Sequence, residues 1–442
     1  MFTLCPAALS GSRDPYTGVE FNLGFRVSHY ALNLDYKVEP NALAGEAVLR
    51  VVTGDEELKK MSLDLAAGMV TRRVTADGKV KVAKFKQSGG KLRISFGAPV
   101  PAGQEFALTI RYGGNPKPIR TTWGQIGWEE TESGALVASQ PNGAPSWFPC
   151  DDHPSQKATF DFRIAADSPF TVVCPGTLIS KRSTGSTTRW HYAAESPLAT
   201  YLATVNVGEF TAFDLGRNTT VFAPAELKSQ VNEEFARQQD MLDFFEERFG
   251  DYPFPDYRVV VTEDALEIPL EAQGLSIFGS NHVKGDHVFE RLIAHELSHQ
   301  WFGNSCGLSV WGDIWLNEGF ACYSEWLWLE HSQGVPAHES ARSHYKVLER
   351  KDQDLYLADP GARDMFDDRV YKRGALFVHS LRRELGDDAF FRAIRSHLAA
   401  ARHSTTTASD ALSAFRSAGN PAAIDALAAD WLGQRALPRF PA

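Results

Sequence analysis

Over its first two hundred residues the chain alternates apolar and polar positions; over most of the remainder it repeats them at helical spacing. The segments HYALNLDYKV, GEAVLRVV, FALTIRY, KATFDFRI, FTVVCPG and TYLATVNVGEF read with period two between breaks rich in Gly, Pro and Asn. That pattern predicts strands with one face buried. KFKQSGGKLRISF places Gly-Gly between two such runs and predicts a hairpin. The period changes near residue 224, where AELKSQVNEEFARQQDMLDFFEERFG reads as a helical stretch closed by Gly250. DYRVVVTE reads as a short strand, and from Asp286 onward most segments read as helices, ending in the Ala-rich TTTASDALSAFRSAG and NPAAIDALAADWL. A chain of 442 residues exceeds one ordinary core. The expected division is a β-rich domain over 1–212 and a mostly helical domain over 213–442.

Composition narrows the class. No window approaches 18 consecutive apolar residues, and the opening MFTLCPAALSGSRDP has no basic start and only a broken apolar run, so neither a membrane span nor a signal peptide is expected. Five cysteines, Cys5, Cys150, Cys174, Cys306 and Cys322, form no C-x-x-C spacing. They suggest neither a disulfide framework nor a structural zinc site, and a cytoplasmic location is the expectation. Residues 1–210 hold 22 Lys+Arg against 20 Asp+Glu, leaving 23 against 35 of the chain's 45 and 55 for residues 211–442. The second part therefore carries −12 of a net −10, the first part +2. Such a balance opposes nucleic-acid binding and favours approach of cationic groups such as free peptide amines.

The candidate chemistry lies in HELSHQWFGNSCGLSVWGDIWLNEGF, residues 295–320. On a helix His295 and His299 project from one face a turn apart, so both imidazoles can reach one ion. Glu296, beside the first histidine, is placed to act as general base on metal-activated water. A catalytic zinc takes three protein ligands. Eighteen residues separate His299 from Glu318, enough for a helix end at Gly303, a connection and a second helix beginning near Leu316; Glu318 is the candidate third ligand. A histidine six residues after His299, the alternative arrangement, is ruled out because Ser305 stands there. The competing reading makes His295 and His299 core histidines of an aromatic helix and Glu318 an ordinary first-turn acid. Glu325, seven residues after Glu318 on the same face, either holds a zinc-bound imidazole from behind or packs. The tryptophans from 311 to 328 and the QWFGN run are expected to pack the two zinc-bearing helices together.

H-E-x-x-H followed after eighteen residues by N-E-G-F-A resembles the gluzincin aminopeptidases of the aminopeptidase N family, which includes the bifunctional leukotriene epoxide hydrolase. SWFPCDDHPSQKATFDF is similar to that family's F-P-C-x-D-x-P-x-x-K-A-T-F segment, with Asp152 and His153 where the family more often has Asp and Glu. VYKRGALFV is similar to its V-Y-x-K-G-A helix start, with Arg373 for the usual lysine, and LEAQGL falls where G-x-M-E-N is found. Of that last motif only Glu271 matches, with Ile268 at the glycine and Ala272 at the asparagine. The resemblance implies an N-terminal all-β, sandwich-like domain followed by a mainly α, thermolysin-like zinc peptidase domain. It further implies one Zn2+ per chain and a short two-domain form without the family's large C-terminal helical domain. By the same resemblance Tyr371 would donate its hydroxyl to the oxyanion, and Glu271, helped by Gln140, would bind the substrate's free α-ammonium; Ala272 offers no amide. The implied activity is removal of N-terminal residues from peptides with a free N-terminus, with neither nucleic acid nor membrane as partner and the oligomeric state open. Three alternatives remain: cleavage of internal or N-blocked peptides, epoxide hydrolysis on the same site, and a non-catalytic scaffold. Glu271 as a solvated loop acid and Tyr371 as a packing side chain are the corresponding plain readings of those two residues.

Overall fold

The computed structural model describes residues 13–22 and 24–441. Cys5 and most of the opening stretch lie outside the described residues. The period-two segments form a seven-stranded sheet in the order Thr177–Thr184, Thr187–Ala199, Lys157–Asp167, Phe25–Lys37, Ala42–Thr53, Glu105–Gly114, Met69–Ala76. Its register puts Tyr192, Phe162, Leu32, Ala47, Ile110 and Val74 abreast on six adjacent strands, all buried. Alternation therefore delivers one continuous apolar face, each large side chain contributing about 1.5–3 kcal/mol by leaving water. A five-stranded and a three-stranded sheet share its core, through Tyr36 against Trp128 (ring centroids 4.8 Å) and Phe96 against Phe106 (5.6 Å). The expected hairpin is present, Val82–Ser88 and Lys91–Val100, and both Gly89 and Gly90 have positive φ at the turn. TYLATVNVGEF departs from expectation. Only Asn206–Gly208 is strand, while Thr200–Leu202 is a turn of 3-10 helix whose side chains are all buried, so burial on every side had replaced alternation.

The second half holds a five-stranded mixed sheet in the order Thr211–Gly216, Thr219–Ala223, Tyr257–Thr262, Leu275–Gly279, Leu270–Ala272. Residue 212 thus falls inside a strand of this sheet. Tyr257–Thr262 runs between parallel neighbours and is buried at every position, which is why DYRVVVTE reads as an apolar run. The helical stretch after residue 224 is two helices, Lys228–Glu234 and Gln238–Phe249, the second ended by Gly250 at φ +96°. Helices dominate beyond residue 286, and the two Ala-rich segments form Ala408–Ala418 and Pro421–Gly433. No described helix is long and apolar enough to cross a membrane. Arg373 is buried and donates to the carbonyls of Trp431, Leu355, Gln434, Arg435 and Ala436. Its planar, multi-donor head suits this carbonyl cluster where a lysine would reach fewer groups.

Candidate active site

Three helices meet at the site. The histidine helix, Glu290–Ser298, supplies His295 and Glu296, and His299 takes its C-cap position. The helix therefore closes at Ser298, four to five residues before Gly303, and the chain reverses through Gly303 at φ +113°. A Cβ on Gly303 would stand 3.0 Å from Asn317 Nδ2 and 3.4 Å from His299 Nδ1, so both conformation and space require glycine there. The glutamate helix, Trp315–Gln333, begins one residue before the expected point and presents Glu318 in its first turn. The tyrosine helix, Asp368–Leu385, carries Tyr371 near its start. Glutamate and tyrosine helices touch backbone to backbone where Gly319 meets Gly374.

His295, His299 and Glu318 converge, with one ligand atom of each within 4.8 Å of the others. Glu318 Oε2 lies 3.5 Å from His295 Nε2 and 3.6 Å from His299 Nε2, and all three residues are buried. The far ring nitrogens are engaged elsewhere: His295 Nδ1 bonds to Glu325 at 2.9 Å, and His299 Nδ1 to the carbonyl of Phe302 at 3.0 Å. A carbonyl only accepts, so His299 carries a proton on Nδ1 and leaves Nε2 as the atom facing Glu318; the Glu325 carboxylate does the same for His295. Glu325 is in turn held by Arg291 at 3.1 Å, and its carboxyl sits at about 2, where His295 and Lys372 outweigh the effect of burial. Burial disfavours charge on the two imidazoles, yet Glu318 with Glu325 raises His295 and Glu271 with Glu318 raises His299. Glu318 is lowered against burial by those same imidazoles. Two inward imidazole nitrogens and a buried carboxylate, three protein ligands and not four, fit a catalytic zinc ion; a closed structural site would need a fourth protein ligand.

Glu296 is 4% exposed, its Oε2 has no hydrogen-bond partner, and burial pushes its carboxyl up against the pull of both imidazoles. Glu271 stands in strand rather than loop: Leu270–Ala272 is the edge of the mixed sheet, with Glu271 opposite Ser276. Its carboxylate accepts from Gln140 Nε2 at 2.7 Å, so the two residues, 131 apart in sequence, form one unit contributed by both halves of the chain. Glu271, Glu296 and His299 also present ligand atoms within 4.8 Å of one another. The Tyr371 ring lies parallel to the His295 ring at 6.0 Å, and burial together with Glu318, Glu271 and Glu296 drives its hydroxyl far above the ordinary value. It stays protonated and able to donate.

Two side chains of the QWFGN run, expected to pack the helices together, do something else. Gln300 accepts from the Gly274 amide at 2.8 Å and donates to the Ala272 carbonyl at 3.1 Å, to which Asn304 also donates at 2.9 Å. They fasten the Glu271 strand to the end of the histidine helix. Their polarity within an apolar run, QWFGN, was the available signal. Phe302 does stack on Phe320 of the glutamate helix at 4.6 Å, as expected, whereas Trp301 packs on Phe245, Phe249 and Tyr252.

The chain is similar to known proteins over nearly its whole length. It is 25% identical to leucine aminopeptidase 2 of Neurospora crassa over 413 residues, which span 88% of this chain and 61% of that protein. Endoplasmic reticulum aminopeptidase 2 of Bos taurus is 27% identical over 63% of this chain and 32% of its own length. The chain thus spans less than two thirds of these curated relatives. Among solved structures, the M1 zinc metallopeptidase of Deinococcus radiodurans, crystallised as a mutant with a Tyr-Ser-Ala substrate, superposes with TM-score 0.86 at 27% identity, covering 97% of this chain and 99% of that one. A two-domain M1 zinc metallopeptidase crystallised with L-arginine superposes with TM-score 0.85 at 27% identity over the same shares. The family model described as the peptidase M1 N-terminal domain matches residues 26–202 and the one described as the peptidase family M1 domain matches residues 233–431, so the chain belongs to peptidase family M1.

Proposed function

We propose that this protein is a zinc-dependent aminopeptidase that removes N-terminal residues from peptides. The observation that carries the reading is the Gln140–Glu271 pair seated beside the metal ligands, with the Glu271 carboxylate within 4.8 Å of Glu296 and His299 ligand atoms. A carboxylate there holds the free ammonium of the residue that bears the scissile carbonyl, so that cleavage falls one residue in, which separates an exopeptidase from an endopeptidase on this scaffold. The ligand-bound neighbours, one with a tripeptide substrate and one with L-arginine, support the same class of ligand.

Zinc held by His295, His299 and Glu318 would supply Lewis acidity, polarising the carbonyl and bringing the pKa of water near 7. Glu296 takes the proton of the attacking water and passes it to the departing amine. Its elevated pKa matches it to both tasks near neutrality. Tyr371, kept protonated, donates to the oxygen that gains charge. Glu325 and the Phe302 carbonyl keep both imidazoles aimed, and Gln140 keeps the Glu271 carboxylate turned toward the amine. A cytoplasmic location belongs to the same proposal, supported by four buried free thiols among the described residues.

The test is Glu271→Ala assayed on a peptide substrate and its N-acetylated twin. The preference for the free amine should fall by roughly tenfold or more, the scale of a buried charge-assisted bond. An unchanged preference would remove Glu271 from the role of amine anchor.

A further inference from the structure

Tyr371 stands in the first turn of the tyrosine helix, where a helix is least held by its own hydrogen bonds and frays most readily. What holds it lies on the opposite side. Arg369 and Arg373 sit one turn apart on a single face, and Tyr371, two residues from each, points about 200° away, toward His295. Arg369 donates to both carboxylate oxygens of Asp367, at 2.9 and 3.0 Å, to the Asp352 carbonyl at 3.0 Å and to the Asp354 carboxylate. The buried Arg373 donates to the carbonyls of Leu355 at 3.3 Å, Trp431 at 3.1 Å and Arg435 at 2.7 Å, with those of Gln434 and Ala436 beside them. Two chain segments, 352–355 and 431–436, thus converge on the back of the helix. Gln353 ties them together: its amide donates to the carbonyls of Leu348 and Lys351, both at 2.9 Å, and its oxygen accepts from the Leu437 amide at 2.9 Å. None of these bonds involves His295, His299 or Glu318, so this anchorage can loosen while the metal ligands keep their places.

We propose that Arg369 and Arg373 are positioning residues, which clamp the back of the tyrosine helix to segments 352–355 and 431–436 and so fix where the Tyr371 hydroxyl meets the oxyanion. A planar guanidinium with several donors sets rotation as well as distance, whereas an ammonium is a point donor on a flexible stem and leaves the helix free to turn. A shift of about 1 Å in a donor that acts only in the transition state costs up to roughly a hundredfold in kcat and leaves substrate binding unchanged. The clamp rests on the reading of Tyr371 as oxyanion donor given above.

The experiment measures kcat, KM and bound zinc for leucine amide hydrolysis by the zinc-loaded full chain, in wild type, Arg373→Lys, Arg369→Lys, Tyr371→Phe, and Tyr371→Phe combined with each lysine change. Each lysine variant should lose roughly tenfold or more in kcat, with KM and zinc content as in wild type. In the Tyr371→Phe background the same changes should cost almost nothing further, because the donor they aim is already gone. Arg369 is only half-buried, so its lysine variant carries the test even where Arg373→Lys fails to fold. Unchanged kcat in either folded lysine variant, or an equal fractional loss in both backgrounds, would overturn the clamp and leave the arginines as supports of the fold. The two readings fail differently. Near-normal kcat in Tyr371→Phe would remove the donor itself, whereas a large loss there, with the lysine changes multiplying it, would remove only the clamp.

Discussion

Glu296 is the side chain whose surroundings most define its chemistry: buried, with one oxygen unbonded, and raised in pKa by burial against two neighbouring imidazoles. Glu296→Ala should retain zinc yet lose turnover by roughly a hundredfold to ten-thousandfold; near-normal kcat in that variant would contradict its role as base. A base works only when ionised, so activity should rise with pH through the Glu296 pKa. Because that pKa is raised, the acid limb of a kcat/KM profile should fall above the ordinary glutamate value of about 4.3, and a limb at or below it would mean that another group limits the rate. Glu325 acts through His295 rather than on substrate. Glu325→Gln should weaken zinc binding by roughly tenfold or more, read by competition with a chelating dye, and zinc affinity equal to wild type would make Glu325 a packing residue. The H-E-x-x-H spacing carried this much of the site because all three parts lie on, or within one turn of, a single helix. The Glu271–Gln140 bond was not readable from spacing, since it joins residues brought together only by the docking of two domains.

At the scale of elements, the site depends on how closely the glutamate and tyrosine helices approach. A Cβ on Gly319 would stand 2.8 Å from Cα and 2.9 Å from the carbonyl carbon of Gly374, and backbone atoms cannot step aside as a flexible side chain can. Gly319→Ala should therefore force these helices apart, costing about 1–3 kcal/mol and shifting Glu318 relative to Tyr371. Thermal denaturation should show a lowered Tm and turnover should fall; a variant with unchanged Tm and activity would mean that the crossing is loose. Element type was legible wherever one face is buried, as in the seven-stranded sheet, whose alternation maps directly onto its core row. It failed where burial is uniform or chain direction is set by distant contacts: the 3-10 turn at Thr200–Leu202, the break after Glu234, and the end of the histidine helix at Ser298 instead of Gly303. Gln300 and Asn304 belong to the same class, because their partners on the Ala272 strand are about thirty residues away.

On the scale of the whole molecule, the two halves build one site and are fastened around it. Gln140 reaches Glu271 from the first half, and Lys157 donates to the carbonyls of Asn304 and Ser305, both at 2.8 Å, directly after the histidine helix. Period two followed by helical period was enough to order the β-rich and helical parts. The mixed sheet that positions Glu271 was not evident, because a fully buried central strand and a three-residue edge strand leave little pattern. The central claim, that this geometry cleaves next to a free N-terminus with a metal, is tested most directly with a fluorogenic leucine amide and its N-acetylated twin, before chelation, after it, and after zinc is restored. Chelator-sensitive, zinc-restored cleavage of the free-amine substrate alone is the predicted result. Cleavage of both substrates, or of neither by zinc-loaded protein, would contradict it.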